Sequence, residues 1–505
     1  MGAIGYIPED WRKDLISFLY KRKGDRLVAK NYRPITIAPS LGKHYEGILL
    51  YMMNLTPDLN EDNHAYTSNK SCLTAIINLQ ENLKQARTEN VKVQKEGYRV
   101  VTIIMAEDIS SAFESVLHCL IIQFINHNFK VGNMNLGASL ACYLDREAFT
   151  LDRTTDEKLP VRKRYSDRST PQGSLVSPKI WRIYDNIFSH IYKNALQQLK
   201  DKTDWIVDFF HCSYADDHVT LASLLLPIDA DKDEVQAKMS ELVLLCRQLL
   251  DNATTTVGCG INRDKSEVVT TKNWNLPEVK SKQEFKWLGY TLELTTQHYL
   301  KFTETNMIGK FYEAKRNLEN IYQYLSDEYT KLQIWKIYIA PIIEWFLPCI
   351  AHKKRHELAQ NNKIESFQLQ TLCLALRAST KIGTTKINEV ACIRPVKLRL
   401  LTMGSRLAKH VPRAAAELMT TQPNQVNSAY GLRSGMQQRH CVWTNAEFKN
   451  FTDQIIILKE EFKNTDERLL GRFQRDSRHR VKFNKHEIRS TISSLNSQVR
   501  SHIQN

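Results

Sequence analysis

The chain predicts an α+β fold: a core in which strands and helices alternate, followed by a helical appendage. Three observations predict it. RVVTIIMAEDI (99–109) is a β-branched run suited to a buried strand. WIVDFFHCSYADDHVTLAS (205–223) reads as two strands joined by a tight acidic turn, since apolar runs flank Ala215, Asp216 and Asp217. From about residue 304 the pattern becomes helical and rich in Tyr, Trp, Lys and Leu.

Taken in order, residues to about 70 are basic and turn-rich, as in KRKGDRLVAKNYRPITIAPS. LTAIINLQENLKQA (73–86) has helical apolar spacing and precedes the 99–109 strand. SAFESVLHCLIIQFINHN returns to a helical period, and RTTDEKLPVRKRYSDRS is polar enough to be a hairpin or loop. Residues 174–200 read as a helix, then come the two strands of 205–223 and a helix at 232–251. Short strands flank Lys265 and the FKWLGYTLEL segment. TTQPNQVNSAYGLRSG, near 420–435, is the linker candidate. The tail beyond it is basic, with Arg472, Arg475, Arg478, Arg480, Lys482 and Lys485.

The 505 residues carry a formal charge of +15, which favours an anionic partner, either nucleic acid or an acidic membrane surface. No apolar run reaches 18 residues and the N-terminus lacks an apolar signal core, so the expectation is nucleic acid and no membrane. None of the ten cysteines forms a C-x-x-C pair, which argues against structural zinc and for a reduced, intracellular chain, nuclear or cytoplasmic.

Asp108 closes a strand and Asp216–Asp217 occupies a turn, so the three carboxylates meet if the strands are neighbours in one sheet. Three such oxygen donors suit hard divalent cations such as Mg²⁺. Alone, SYADDH reads equally well as a solvated turn, because Asp is a favoured turn residue.

Six segments occur in a telling order: NYRPITIAPSLGKHYE (31–46), AEDISSAFESVLH (106–118), TPQGSLVSP (170–178), SYADDHVTL (213–221), NRDKSEVV (262–269) and FKWLGYTL (285–292). Together they resemble the fingers and palm motifs of reverse transcriptases, most closely those of non-LTR (LINE-like) retrotransposons. The resemblance runs from about Trp11 to Tyr299 and continues more loosely through 367–401. It implies a right-hand polymerase with fingers at 1–98, a palm at 99–300 with an interleaved fingers segment, and a thumb at 304–352. A helical connector at 353–420 and a basic C-terminal region at 436–505 would follow.

The resemblance also implies roles. Asp108, Asp216 and Asp217 would ligate two Mg²⁺ ions, with Mn²⁺ as an alternative, and Ile109 would offer its backbone carbonyl. Phe113 stands where the family places an aromatic gate against the ribose 2′-hydroxyl; its alternative is core packing. Gln172 and Gly173 would pack against the incoming nucleotide, and Gly173 permits close approach. Lys265 matches a lysine proposed as general acid toward pyrophosphate, or is a surface lysine. Arg33 and Lys70 are candidates for triphosphate contacts. Tyr214 would support the primer terminus, and Trp287, Leu288 and Gly289 match the primer grip or form a simple hairpin.

The chain departs from the family at Glu114, where Asp is usual and where the residue is expected to act from behind the site. Thr170 replaces an apolar residue, and HAYTSNKSCLTAI keeps only Lys70 of its basic residues. Endonuclease and RNase H domains are expected to be lacking. The implied partners are RNA template, DNA primer and dNTPs, and the implied activity is RNA-directed DNA polymerisation by two-metal catalysis. The competing readings are a non-catalytic nucleic-acid-binding relic, an intron-maturase-type enzyme and an RNA-dependent RNA polymerase; Phe113 speaks against the last.

Overall fold

The computed structural model describes residues 7–399, apart from 23, 55–61, 69, 129–135, 152–154, 156, 163–166, 277–278, 304, 348–362, 383, 392, 394–395, 397–398. The linker at 420–435 and the basic tail therefore lie outside the described residues. The chain divides into two compact units, Met1–Lys301 and Phe302–Asn505.

In the first unit, β1 (Lys13–Tyr20) and β2 (Tyr32–Ile37) form an antiparallel hairpin, followed by α1 (Ser40–Asn54). In the sequence this stretch is basic and turn-rich, and that tip masks the two short strands. Helix α1 buries Gly42, Tyr45, Glu46, Leu49, Met52 and Met53, the stripe expected of a helix packed on one side. Helix α2 (Cys72–Val93) starts at a capping box in which the Ser71 side chain accepts from Thr74 N and Thr74 Oγ1 accepts from Ser71 N.

The long strand β3 (Tyr98–Ser110) leads into α3 (Ala112–Ser115), α4 (His118–Asn128) and α5 (Leu136–Leu144). β4 (Glu147–Leu151) and β5 (Lys158–Arg162) form the hairpin that the polar stretch allowed for. β4 also pairs in parallel with β1, giving a four-stranded sheet ordered β2-β1-β4-β5.

Then come α6 (Ser177–Asp201), β6 (Ile206–Tyr214), β7 (Asp217–Pro227) and α7 (Lys232–Thr256). β8 (Gly260–Ile261) and β9 (Glu267–Thr270) lie along β3 on the side away from β7, completing a sheet ordered β6-β7-β3-β8 with β9 also on β3. Both faces of β3 are covered, which is why it reads as an almost unbroken apolar run. Val100 packs with Ala86 and Val93 of α2, whereas Ile103, Met105 and Ile109 join the core formed by α6 and α7, which includes Tyr184, Phe188, Met239 and Leu242. Two short strands, β10 (Asn275–Leu276) and β11 (Val279–Lys280), precede the hairpin of β12 (Glu284–Trp287) and β13 (Tyr290–Leu294).

The described residues of the second unit are mainly helical: α8 (Thr305–Tyr322), α9 (Glu328–Phe346), α10 (Lys363–Leu376) and α11 (Thr384–Ala391). Phe311 stacks on Phe367 with centroids 4.1 Å apart, and buried Trp335 donates to Thr371 Oγ1 at 2.8 Å. Among the described residues no helix is long and apolar enough to cross a membrane.

Candidate active site at the β6–β7 turn

A two-residue turn, Ala215–Asp216, joins β6 to β7, with Tyr214 and Asp217 as the closing pair. Ala215 takes a φ of +58°, a region that alanine rarely adopts. So tight a hairpin favours a positive φ at its first central residue, and two hydrogen bonds hold the turn in place. Trp181 Nε1 of α6 donates to the Ala215 carbonyl at 2.9 Å, and the Ile109 amide of β3 donates to the Asp216 carbonyl at 3.0 Å.

The β3–β7 register sets Asp108 directly opposite Asp217, so the three carboxylates converge at one end of the sheet. Burial raises the pKa of Asp216, and Asp108 adds to the effect. Burial, then Asp216 and Asp108, push Asp217 up to about 6. Arg33 and Lys265 pull Asp216 the other way, so both lie within electrostatic reach of the turn. The loop after β8 puts Lys265 over β3, where its Nζ donates to Asp108 Oδ2 at 2.7 Å. The Asp108 side chain is 14% exposed and that of Lys265 is 64% exposed. One residue back on β3, buried Glu107 holds Arg263 of the same loop at 3.3 Å. The loop is thus pinned by adjacent residues of one strand.

Among the described residues no group of three or more His, Cys, Asp or Glu side chains is arranged to hold a metal ion as it stands. Lys265 engages one oxygen of Asp108. The donor set still fits a hard divalent cation in kind: three carboxylates, two of them raised in pKa by burial and by neighbouring carboxylate charge.

Phe113 is half-buried in α3, with its ring centroid 6.0 Å from that of Trp181. Its carbonyl accepts from Thr170 N at 2.8 Å, which joins it to the loop carrying Gln172 and Gly173. Five further contacts brace that loop. Thr36 N of β2 donates to the Gln172 carbonyl at 2.6 Å, and Gln172 Nε2 donates to Glu114 Oε1 at 2.7 Å. The Thr170 hydroxyl, in place of the family's apolar side chain, pairs with Ser177 Oγ at 2.6 Å. Ser174 Oγ meets the Tyr143 hydroxyl, and Leu175 N donates to buried Glu46 at 2.9 Å. Glu46 itself belongs to a buried network in which Arg146 grips Asp14 at 2.6 Å and 2.7 Å. Gly173 sits at φ +109°, and a Cβ there would meet Thr36 O at 2.9 Å, so the absence of a side chain lets this loop approach β2 closely.

The segment before α2 docks on β6: His64 N donates to Ser213 O at 2.9 Å and Ser213 N to Asp62 O at 3.1 Å. This brings half-exposed Tyr66, at φ +53°, into electrostatic range of Asp216 and Tyr214. Burial and a hydrogen bond with Cys72 push the Tyr214 hydroxyl up to about 12. Lys70 lies near His64, where its charge adds to the burial that lowers the histidine to about 4. Trp287, Leu288 and Gly289 belong to a different sheet from Asp108. Leu288 and Gly289 form the β12–β13 turn at φ +49° and +81°, whereas Trp287 is 3% exposed.

The sequence reading missed Trp181, Glu46 and Asp185. Asp185 of α6 is fully buried behind the turn, where it accepts from Asn63 at 2.7 Å and Ser213 at 3.0 Å, and burial pushes it up to about 7. All three lie in helical stretches where polar residues look like solvated positions. The one usable signal was Trp181, whose indole N–H needs a partner when buried.

The reverse transcriptase (RNA-dependent DNA polymerase) family matches residues 20–292, more than half of the chain. No curated protein matches. Solved structures that resemble the chain include telomerase from Candida albicans in complex with a fragment of telomeric RNA, at TM-score 0.38 and 13% identity over 82% of this chain and 65% of that one. The telomerase complex from Candida tropicalis gives 0.40 and 12% over 82% and 65%, and the apo form gives 0.39 and 11% over 82% and 68%. The chain therefore spans 65% of the length of the first two.

Proposed function

The chain belongs to the reverse transcriptase family and has that family's fold, and from this premise we propose that it extends a DNA primer with dNTPs on an RNA template. The observation that carries the proposal is the cross-strand register of Asp108 with Asp217 beside the pinned Asp216. We read the β6-β7-β3 sheet as the palm (99–300), residues 1–98 with part of the interleaved segment as fingers, and 304–352 as thumb. The break between units at Lys301 and Phe302 supports the last boundary.

In this reading Asp108 and Asp216, assisted by Asp217, would hold two Mg²⁺ ions. When bound, these would activate the primer 3′-hydroxyl and stabilise the pyrophosphate leaving group. The protein's own contribution is placement. The bonds from Trp181 and Ile109 fix the turn, so the carboxylates need little reorganisation. The face of Phe113 fills the space a ribose 2′-hydroxyl would need, with Trp181 behind it. Gln172 and Gly173 meet the nascent base pair on a loop held from several sides. Arg33 offers positive charge to the triphosphate, and Lys265 stands where an ammonium could donate a proton to pyrophosphate once it leaves Asp108.

The sequence pattern of the region after the thumb, 367–401, supports a non-LTR retrotransposon origin over an intron maturase. Incorporation of dTTP on poly(rA)/oligo(dT) tests the activity. Folded protein that binds the duplex but incorporates nothing would leave the binding relic.

A further inference from the structure

The hydrogen bond between Gln172 and Glu114 has a consequence for nucleotide selection, and it rests on the polymerase reading. Glu114 lies in α3 next to Phe113, and its Oε1 accepts from Gln172 Nε2 at 2.7 Å. The adjoining backbone carries a second link, Thr170 N to Phe113 O at 2.8 Å. The 113–114 turn and the 170–173 loop are therefore joined by one backbone and one side-chain bond.

An amide side chain has a donor end and an acceptor end, and a neighbour that can only accept decides which end it takes. An ionised carboxylate is such a neighbour. With Nε2 held by Glu114, the Oε1 end is left for whatever enters the site. The contact also depends on reach. A carboxylate one methylene shorter, as the family usually has here, would stop roughly 1.5 Å short of Gln172 unless the loop moved.

We propose that Glu114 is a positioning residue that fixes the amide orientation of Gln172, so that Gln172 meets the incoming nucleotide through its Oε1 acceptor. Glu114 touches no substrate itself. Its effect falls on nucleotide binding rather than on the chemical step, because the backbone of the β6–β7 turn that carries Asp216 and Asp217 is held by other bonds.

The test uses the full chain with Glu114→Ala, Glu114→Gln, Gln172→Ala and the Glu114→Ala/Gln172→Ala pair. Single-nucleotide incorporation and backbone amide exchange are both measured. Loss of a charge-assisted hydrogen bond should raise the KM for dNTP in Glu114→Ala by about 10-fold, with kcat changed by less than about 3-fold. Glu114→Gln, which keeps an acceptor but can also donate and is uncharged, should recover only part of that loss. The double variant should be no worse than Gln172→Ala, since both remove one interaction. Amide exchange across 170–175 should rise in Glu114→Ala at an unchanged melting temperature. Additive losses, an unchanged KM, or a rise in exchange spread over the whole chain would overturn the proposal. If wild-type protein incorporates nothing, the polymerase reading falls, and the exchange measurement still decides whether Glu114 holds the loop.

Discussion

Asp108 and Asp217 are direct partners in the β3–β7 ladder. Like charges opposite one another in a sheet destabilise it, and here Asp216 adds a third carboxylate one residue away. A fold meant only to be stable would not put them together. The arrangement makes physical sense if cations are to be held there, and Lys265 on Asp108 already offsets part of the charge.

Removing that lysine should therefore separate two effects. In Lys265→Met, Asp108 loses its competing ammonium, so Mn²⁺ followed by calorimetry should bind several-fold more tightly. Nucleotide incorporation should slow by about 10²-fold if the ammonium also donates a proton. An unchanged Mn²⁺ affinity would mean that the pair at 2.7 Å does not compete with cations.

Phe113 packs toward Trp181, with ring centroids 6.0 Å apart. Phe113→Val should lower the preference for dTTP over UTP by roughly 10- to 100-fold, while leaving dTTP incorporation within about 10-fold of wild type. Preference retained in the variant would reduce Phe113 to core packing.

Gly173 combines φ +109° with a would-be Cβ contact of 2.9 Å to Thr36 O. Gly173→Ala should cost about 1–3 kcal/mol through backbone strain and displacement of β2, read as a lower urea midpoint. Incorporation should fall with it. Full activity at wild-type stability would show that the loop does not need this close approach.

His64 is buried neutral, its pKa lowered from 6.5 to about 4 by burial and then by Lys70. Between those values the unfolded chain binds a proton that the folded chain excludes, so this contribution is present above pH 6.5 and is lost as pH falls toward 4. Urea denaturation should show stability decreasing over that window, by up to about 3 kcal/mol from this residue. His64→Gln should make the decline shallower. An equally steep decline in the variant would assign it to His211 and His218, which burial also holds below 6.5.

Much of the core could be read from local pattern. The run RVVTIIM announced β3, and the apolar flanks of Ala215–Asp216–Asp217 announced β6 and β7. Non-local pairing could not be read. Nothing in KDLISFLY says that it will lie parallel to EAFTL more than a hundred residues on, because short strands specify a partner only through tertiary packing. The carboxylates were legible as a motif, but their meeting depended on an antiparallel register that spacing alone does not encode. The supports behind them were not legible. Glu46, Arg146 and Asp185 are charged residues with almost no exposure, and in a sequence they look the same as charges that face water.

The proposed role of Asp108, Asp216 and Asp217 is as the centre of an RNA-directed DNA polymerase. Its most direct test is primer extension on poly(rA)/oligo(dT) with Mg²⁺, comparing wild type with Asp216→Asn/Asp217→Asn and confirming that both bind the duplex. The expected result is dTTP but not UTP incorporation by the wild type, and loss of at least about 10³-fold in the double variant. Incorporation that survives in the double variant, or none by a wild type that is folded and binds duplex, would contradict it.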